Sequence, residues 1–187
     1  QHLDSSLIKL VILDRDGVIN HDSKGYVKSV SEWHHIEGGL EAVAKAYKAG
    51  IKFAVATNQS GIARGLYTHE DMRQMHEKMN SILHKLGGKF EYIAYCDHLP
   101  ELKCSCRKPE SGMIEQIQKH TKVPFENMIM IGDRLKDLQS GNKVGTQYAL
   151  VLTGQGEDTL LEHPELKTNG TPIYKDLAAA LEDILEI

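Results

Sequence analysis

A continuous apolar run, Leu10-Val11-Ile12-Leu13, breaks off at Asp14-Arg15-Asp16-Gly17. A run of this length without alternation reads as a strand buried on both faces, the condition of a parallel strand sandwiched between helices. The acids at its carboxyl end stand where open α/β sheets collect their ligands. Alternate residues of a strand share a face, so Asp14 and Asp16 can converge, and two close carboxylates repel unless a cation or a shared proton relieves them. A divalent metal resolves that conflict. A polar turn closing a buried strand is the plainer alternative for the same pair.

The rest of the chain repeats the pattern. Ile51 to Thr57, Phe90 to Tyr95, Met128 to Ile131 and Tyr148 to Leu152 join Ile8 to Leu13 as predicted buried strands. Leu40, Val43, Ala44 and Tyr47 recur at helical spacing, and Gly50 supplies the stop. Thr68 and Asp71 form a capping-box signature ahead of a long helix whose apolar stripe, Met72, Met75, Met79, Ile82, Leu83 and Leu86, runs to Gly87-Gly88. Those methionines match a buried helical face and read as core filler. Further helices are predicted at Gly112 to His120, around Lys136 to Lys143, and at Lys175 to Leu185. Alternation of this kind predicts an α/β fold with a doubly wound, Rossmann-like parallel sheet.

At 187 residues and 41% hydrophobic composition, one domain spanning 1–187 is expected. The formal net charge of −4, with no dense Lys/Arg block, argues against nucleic-acid binding, so an anionic ligand needs locally placed cations. There is no signal-peptide pattern, and no apolar stretch approaches the ~20 residues of a membrane span, so a cytoplasmic protein without membrane contact is expected. Gln1-His2-Leu3-Asp4 is left out of the fold argument.

Three more predicted strand ends carry polar motifs: Thr57-Asn58-Gln59-Ser60-Gly61, Arg107-Lys108-Pro109 and Gly132-Asp133-Arg134-Leu135-Lys136-Asp137. The Thr57 hydroxyl and the turn amides beyond it suit phosphate oxygens, and Asp133 is either a helix cap or a further metal-facing acid. Cys96-x-His98 and Cys104-x-Cys106 use every cysteine in the chain. Three sulfurs and an imidazole at this spacing predict a zinc site in the loop 96–106. With four protein ligands it is closed to substrate and therefore structural, and it ends one residue before Arg107-Lys108, whose direction it can fix. Of the other histidines, His21, His34 and His35 lack partner acids at ligand spacing and read as surface or packing residues, His69, His76 and His84 fall on the long helix and read as solvated or core-edge residues, and Trp33 reads as a packing anchor. Glu157-Asp158, Glu182, Asp183 and Glu186 read as solvated faces.

Taken in order, Asp14-x-Asp16, Thr57, Lys108 and Gly132-Asp133 resemble the four motifs of the haloacid dehalogenase superfamily of phosphatases, over about Lys9 to Leu152. The resemblance implies that Asp14 attacks phosphorus and that Asp16 protonates the leaving oxygen, then activates water. It further implies Mg²⁺ held by the Asp14 carboxylate, the Asp16 main-chain carbonyl and the Asp133 carboxylate, with Asp137 behind them and Thr57 and Lys108 on the transferred phosphoryl group. No large insertion separates Asp16 from Thr57 or Thr57 from Lys108, so a minimal cap is expected.

With the zinc loop, two branches are similar: heptose 1,7-bisphosphate 7-phosphatases and histidinol-phosphate phosphatases. The first reads nearly continuously through Asp14-Arg15-Asp16-Gly17, Gly25-Tyr26-Val27, Thr57 to Gly65 and Cys106 to Pro109. By that resemblance Asp22, Ser23, Lys24, Gly25, Thr57, Asn58, Gln59, Ser60, Arg107, Lys108 and Arg134 contact substrate, with Arg64 adding charge. A small sugar bisphosphate is then the expected partner and a monomer the expected state, in heptose biosynthesis and, through it, lipopolysaccharide. Val18, Arg134 and a longer loop before Gly25 depart from the usual pattern and bear on the choice of sugar. Two rival classes are a receiver-like phosphorylation switch, which takes its phosphate on a central strand, and a zinc-dependent nucleic-acid module or 3′-phosphatase.

Overall fold

Leu10, Val11, Ile12 and Leu13 are all fully buried and form β1, which pairs in parallel with β2 (Lys52–Asn58) on one side and β4 (Met128–Gly132) on the other. The computed structural model describes residues 3–187. Gln1 and His2 of the set-aside start lie outside it, while Leu3 packs against the core and Asp4 caps a short 3₁₀ turn. With β3 (Tyr92–Cys96), β5 (Gln147–Val151) and β6 (Ile173–Tyr174), the strands make one parallel sheet in the order β3-β2-β1-β4-β5-β6. This is the doubly wound order, with its switch point between β1 and β4.

Strand alternation divides the core into two layers. Val11, Leu13, Phe53, Val55, Ile129 and Ile131 face α1 (Gly39–Lys48), α2 (His69–Lys85) and α6 (Leu177–Leu185). Leu10, Ile12, Ala54, Ala56, Met128 and Met130 face α3 (Gly112–Thr121), while Leu138 of α4 (Leu135–Asn142) packs on Leu150. Met72, Met75, Met79 and Leu83 of α2 are buried in the first layer, as their spacing predicts, and the Thr68–Asp71 capping box forms in both directions.

Two elements escape the sequence reading. Helix α5 (Gly156–Glu162) exposes Glu157 and Asp158 as expected of a solvated face, yet Thr159 on its inner side is buried and donates to Asp133 O at 2.7 Å. Strand β6 is two residues long, too short for a period to show. Of the acids near the C-terminus, Asp183 accepts a hydrogen bond from Tyr174 Oη at 2.6 Å.

No helix is long and apolar enough to cross a membrane among the described residues. The connection from Asp14 to Gly38 holds only isolated bridges, Asp16 with Asn20 and Asn20 with His35, so the cap over the sheet is minimal.

Candidate active site

The carboxyl ends of β1, β2 and β4 bring the motifs to the switch point. Lys108 Nζ sits between two carboxylates, 2.9 Å from Asp14 Oδ1 and 2.8 Å from Asp137 Oδ1. Asp137 Oδ2 accepts from the backbone amides of Asp133 and Arg134, both at 3.1 Å, so this side chain braces the β4–α4 turn while it holds the lysine. Gly132 leaves room for it, since a Cβ there would overlap the Asp137 carboxyl. Asp133 Oδ2 accepts from Gln155 N at 2.8 Å, and Gly17 and Gly154, both at positive φ, pack against the same oxygen where a side chain would collide with it.

Negative charge is in excess here. Burial pushes the Asp14 carboxyl up to about 6, helped by Asp137 and opposed by Lys108. Asp133 is pushed well above the usual carboxylate range by burial and by the Asp14 and Asp137 charges. Burial opposes the Lys108 charge, but Asp137 and Asp14 outweigh it and hold the ammonium above its ordinary range. Oxygens of Asp14, Asp133 and Asp137 lie within 4.8 Å of one another, and Asp133 Oδ1 is buried with no hydrogen-bond partner. One lysine against three acids and an orphaned oxygen fit a hard divalent cation with oxygen ligands.

Asp16 is held differently. Its Oδ1 accepts from Arg15 Nε at 2.9 Å, Arg15 Nη2 at 2.8 Å and Asn20 Nδ2 at 2.9 Å, and its Oδ2 from Gln59 Nε2 at 3.4 Å. Arg15 is fully buried, with His76 Nε2 at 3.3 Å from its Nη1. Burial and the Arg15 charge push His76 down to about 3, so its imidazole is neutral. Gln59 Nε2 also donates to Thr57 Oγ1 at 2.8 Å, and Tyr67 Oη donates to Gln59 Oε1.

A cleft of about 260 Å³ opens above these groups, lined by Asp14, Asp16, Asp22, Ser23, Lys24, Thr57, Asn58, Ser60, Arg107, Lys108, Arg134 and Asp137, and by two motif residues not anticipated as substrate contacts, Tyr26 and Lys136. Of the other anticipated contacts, Gln59 is buried beneath the cleft, Gly25 is exposed outside its lining, and Arg64 is exposed on the turn after Ser60. Asp22 accepts from Gln155 Nε2 at 3.0 Å and lies 3.9 Å from Arg134. Tyr26 takes a positive φ of 71°, a conformation a bulky residue adopts only where its surroundings impose it.

The second cluster closes behind the cleft. Cys96 at the end of β3, His98, Cys104 and Cys106 place ligand atoms within 4.8 Å of one another, and the thiols are free. Their sulfurs are 2.9 to 3.5 Å apart and His98 Nδ1 is 3.3 Å from Cys106. These spacings are close to the roughly 3.8 Å edges of a tetrahedral thiolate site around a zinc-sized ion. Asp97 Oδ1 lies 3.6 Å from His98 Nε2, leaving Nδ1 to face the sulfurs. The loop is tied to the β2 end of the cleft through Gln59 N, which donates to Cys96 O at 2.7 Å, and Lys108 N, which donates to Asn58 Oδ1 at 3.2 Å.

Among known proteins the chain is 44% identical over 179 residues to a D-glycero-β-D-manno-heptose-1,7-bisphosphate 7-phosphatase of Pseudomonas putida, covering 95% of this chain and 100% of that protein. It belongs to that family of phosphatases. A Neisseria meningitidis member of the family is 44% identical over 91% of each chain. The HAD-hydrolase-like family model matches residues 105–180. A crystal structure of the family's Bordetella bronchiseptica member, complexed with magnesium and phosphate, superposes with a TM-score of 0.89 at 41% identity, covering 96% of this chain and 99% of that one. Membership in a phosphatase family decides against the receiver-like and nucleic-acid readings. Strand position alone does not, because β1, though first in the chain, lies inside the sheet.

Proposed function

We propose that this chain is a Mg²⁺-dependent phosphatase that removes the 7-phosphate of D-glycero-β-D-manno-heptose 1,7-bisphosphate through a phosphorylated Asp14. The observation that carries this reading is the Asp14–Lys108–Asp137 chain of ion pairs, set beside Asp133 at the foot of a cleft rimmed by Arg107 and Arg134. Lys108 engages Asp14 Oδ1, which leaves Oδ2 to attack phosphorus in line with the departing sugar oxygen. The Thr57 hydroxyl accepts from Gln59 at 2.8 Å and donates only a long 3.5 Å contact to Asn58 O, a bond weak enough for its proton to turn to a phosphoryl oxygen. Asp16 Oδ1 is saturated by Arg15 and Asn20; Oδ2 therefore carries the proton given to the sugar alkoxide and later takes one from the water that splits the aspartyl phosphate. Mg²⁺ held by Asp14, the Asp16 carbonyl and Asp133 supplies neutralisation of the phosphoryl charge.

Zn²⁺ on Cys96, His98, Cys104 and Cys106 is read as structural, its donor set of three sulfurs and one imidazole being complete without solvent. A cytoplasmic, monomeric enzyme acting on a small sugar bisphosphate is the corresponding cellular reading.

Phosphate release with added Mg²⁺ tests the assignment on both anomers of the heptose bisphosphate, fructose 1,6-bisphosphate, histidinol phosphate and a 3′-phosphorylated oligonucleotide. Highest kcat/KM on the β-heptose bisphosphate, abolished by Asp14→Ala, is expected. A preference for histidinol phosphate overturns the substrate reading.

A further inference from the structure

Lys136 lines the cleft but has no task in the chemistry at Asp14. It lies in the first turn of α4, partly buried, on the same rim as Arg107 and Arg134. Among the described residues no carboxylate lies within ion-pair distance of its ammonium. Asp137, its neighbour in the chain, is already committed through Oδ1 to Lys108 and through Oδ2 to two backbone amides. The Arg134 and Arg107 guanidiniums share this rim with Lys136, so like charges are crowded here, and the one acid that answers them at ion-pair distance among the described residues is Asp22, 3.9 Å from Arg134. Arg107 adds a second unrelieved donor, since its Nη1 is buried without a hydrogen-bond partner.

A structural lysine of this kind lays its stem on apolar surface and keeps its head in water or against an acid. Lys136 instead joins a ring of cations around a concave site, which is how proteins prepare a place for a second anion. The transferred phosphoryl group cannot be that anion, because it must lie against Asp14, Lys108 and Thr57.

We propose that Lys136, with Arg107, grips the phosphate that is not transferred and so sets the preference for a bisphosphate over a monophosphate. This deepens the bisphosphate reading above and rests on it. The sequence carried a faint signal, a cation two positions after Arg134 at the start of a helix that opens from the metal-facing Asp133.

The test compares wild type, Lys136→Met, Lys136→Gln and Lys136→Arg on the heptose 1,7-bisphosphate and the heptose 7-monophosphate, with Mg²⁺. Losing one charge-assisted hydrogen bond lowers the bisphosphate-to-monophosphate ratio of kcat/KM by about 10- to 100-fold in the Met and Gln variants. The loss should appear in KM, with the Arg variant restoring most of it. Product inhibition by the heptose 1-phosphate should weaken by the same factor, a readout that a merely structural lysine would not move. A wild type that prefers the bisphosphate while Lys136→Met keeps the same ratio, or loses equally on both substrates, overturns the Lys136 assignment alone. A wild type with no preference for the bisphosphate overturns the substrate reading and the Lys136 assignment with it.

Discussion

The ammonium of Lys108 lies 2.9 Å from the carboxylate of Asp14, a residue 94 positions away in the chain. Among the described residues it is the one cation paired with this cluster of three buried acids, and its replacement leaves Asp14, Asp133 and Asp137 facing one another. Lys108→Met is therefore expected to lower kcat by about 10²- to 10³-fold, as for loss of a preorganised donor on the transferred group. Without divalent metal it should also cost about 3–5 kcal/mol of folding stability at pH 8, the scale for orphaning a buried charge. The cost shrinks at pH 5, where the carboxyls take up protons instead. Urea unfolding at the two pH values and phosphate release check both parts; wild-type turnover in the variant would remove Lys108 from the chemistry.

If Asp14 and Asp133 hold Mg²⁺ as proposed, metal and protons compete for the same oxygens. In the metal-free protein Asp14 titrates near 6 against an ordinary value of 3.8, and Asp133 moves in the same direction. A carboxyl raised by folding favours the folded state while protonated; that contribution is complete below the unfolded value and is lost as pH rises through the folded one. The metal-free protein thus loses stability from these groups between about pH 4 and pH 7. Mg²⁺ must displace those protons at low pH and meets none at high pH. Saturating Mg²⁺ at a hundred times its Kd should stabilise the fold by about 2.7 kcal/mol at pH 8 and clearly less at pH 5. Thermal unfolding with and without Mg²⁺ measures this, and an equal rise in Tm at both pH values would contradict the assignment.

The legible parts of this site were those where one strand end dictates one residue. Asp14 follows a buried run, Asp133 ends β4, and the cysteines stand at ligand spacing; the doubly wound sheet follows from the same alternation. Less legible was anything that depends on depth. Arg15 sits between two acids in a turn, where an arginine is normally solvated, yet it is fully buried because its guanidinium folds back onto Asp16 and meets His76 of α2. His76 looked like any polar residue on the rim of a methionine stripe. Asp137, expected to stand behind the metal ligands, touches Lys108 directly. Strand β6 and helix α5 were invisible because two and seven residues are too few to display a period.

The cysteine cluster makes a prediction about catalysis at a distance. Cys96 O accepts from Gln59 N, and Cys106 lies two residues before Lys108, whose amide is tied to Asn58. Loosening the loop therefore moves both the Thr57 side and the lysine side of the phosphoryl site. Elemental analysis of undisturbed protein should find one zinc per chain. Cys106→Ser should lose that zinc and, at saturating Mg²⁺, lower kcat/KM by about 10²-fold, the cost of misplacing catalytic groups by roughly 1 Å. Loss of the zinc from Cys106→Ser with kcat/KM unchanged would break the link.

The hold on Asp16 can be loosened from outside the cleft. Tyr67 is buried, its hydroxyl donates to Gln59 Oε1, and Gln59 in turn reaches Asp16 Oδ2 and Thr57 Oγ1 through the same amide nitrogen. The tyrosine thus fixes which end of the Gln59 amide faces the reaction, and without it the amide can flip and present an oxygen to a carboxylate. Burial pushes the Tyr67 pKa up to about 12, so it remains a donor across the working range. Tyr67→Phe keeps the ring against Gly61 and removes only that donor. Stability should fall by about 1–2 kcal/mol, the cost of leaving one buried acceptor unmet, and kcat by about 10-fold with KM nearly unchanged. Gly61→Ala should reproduce the kinetic defect by a different route, because its new Cβ collides with the Tyr67 ring and pushes it off Gln59. Steady-state kinetics on the two variants, each checked for folding by thermal melts, decide the matter: intact kcat in both would mean that Gln59 holds its orientation without help from Tyr67.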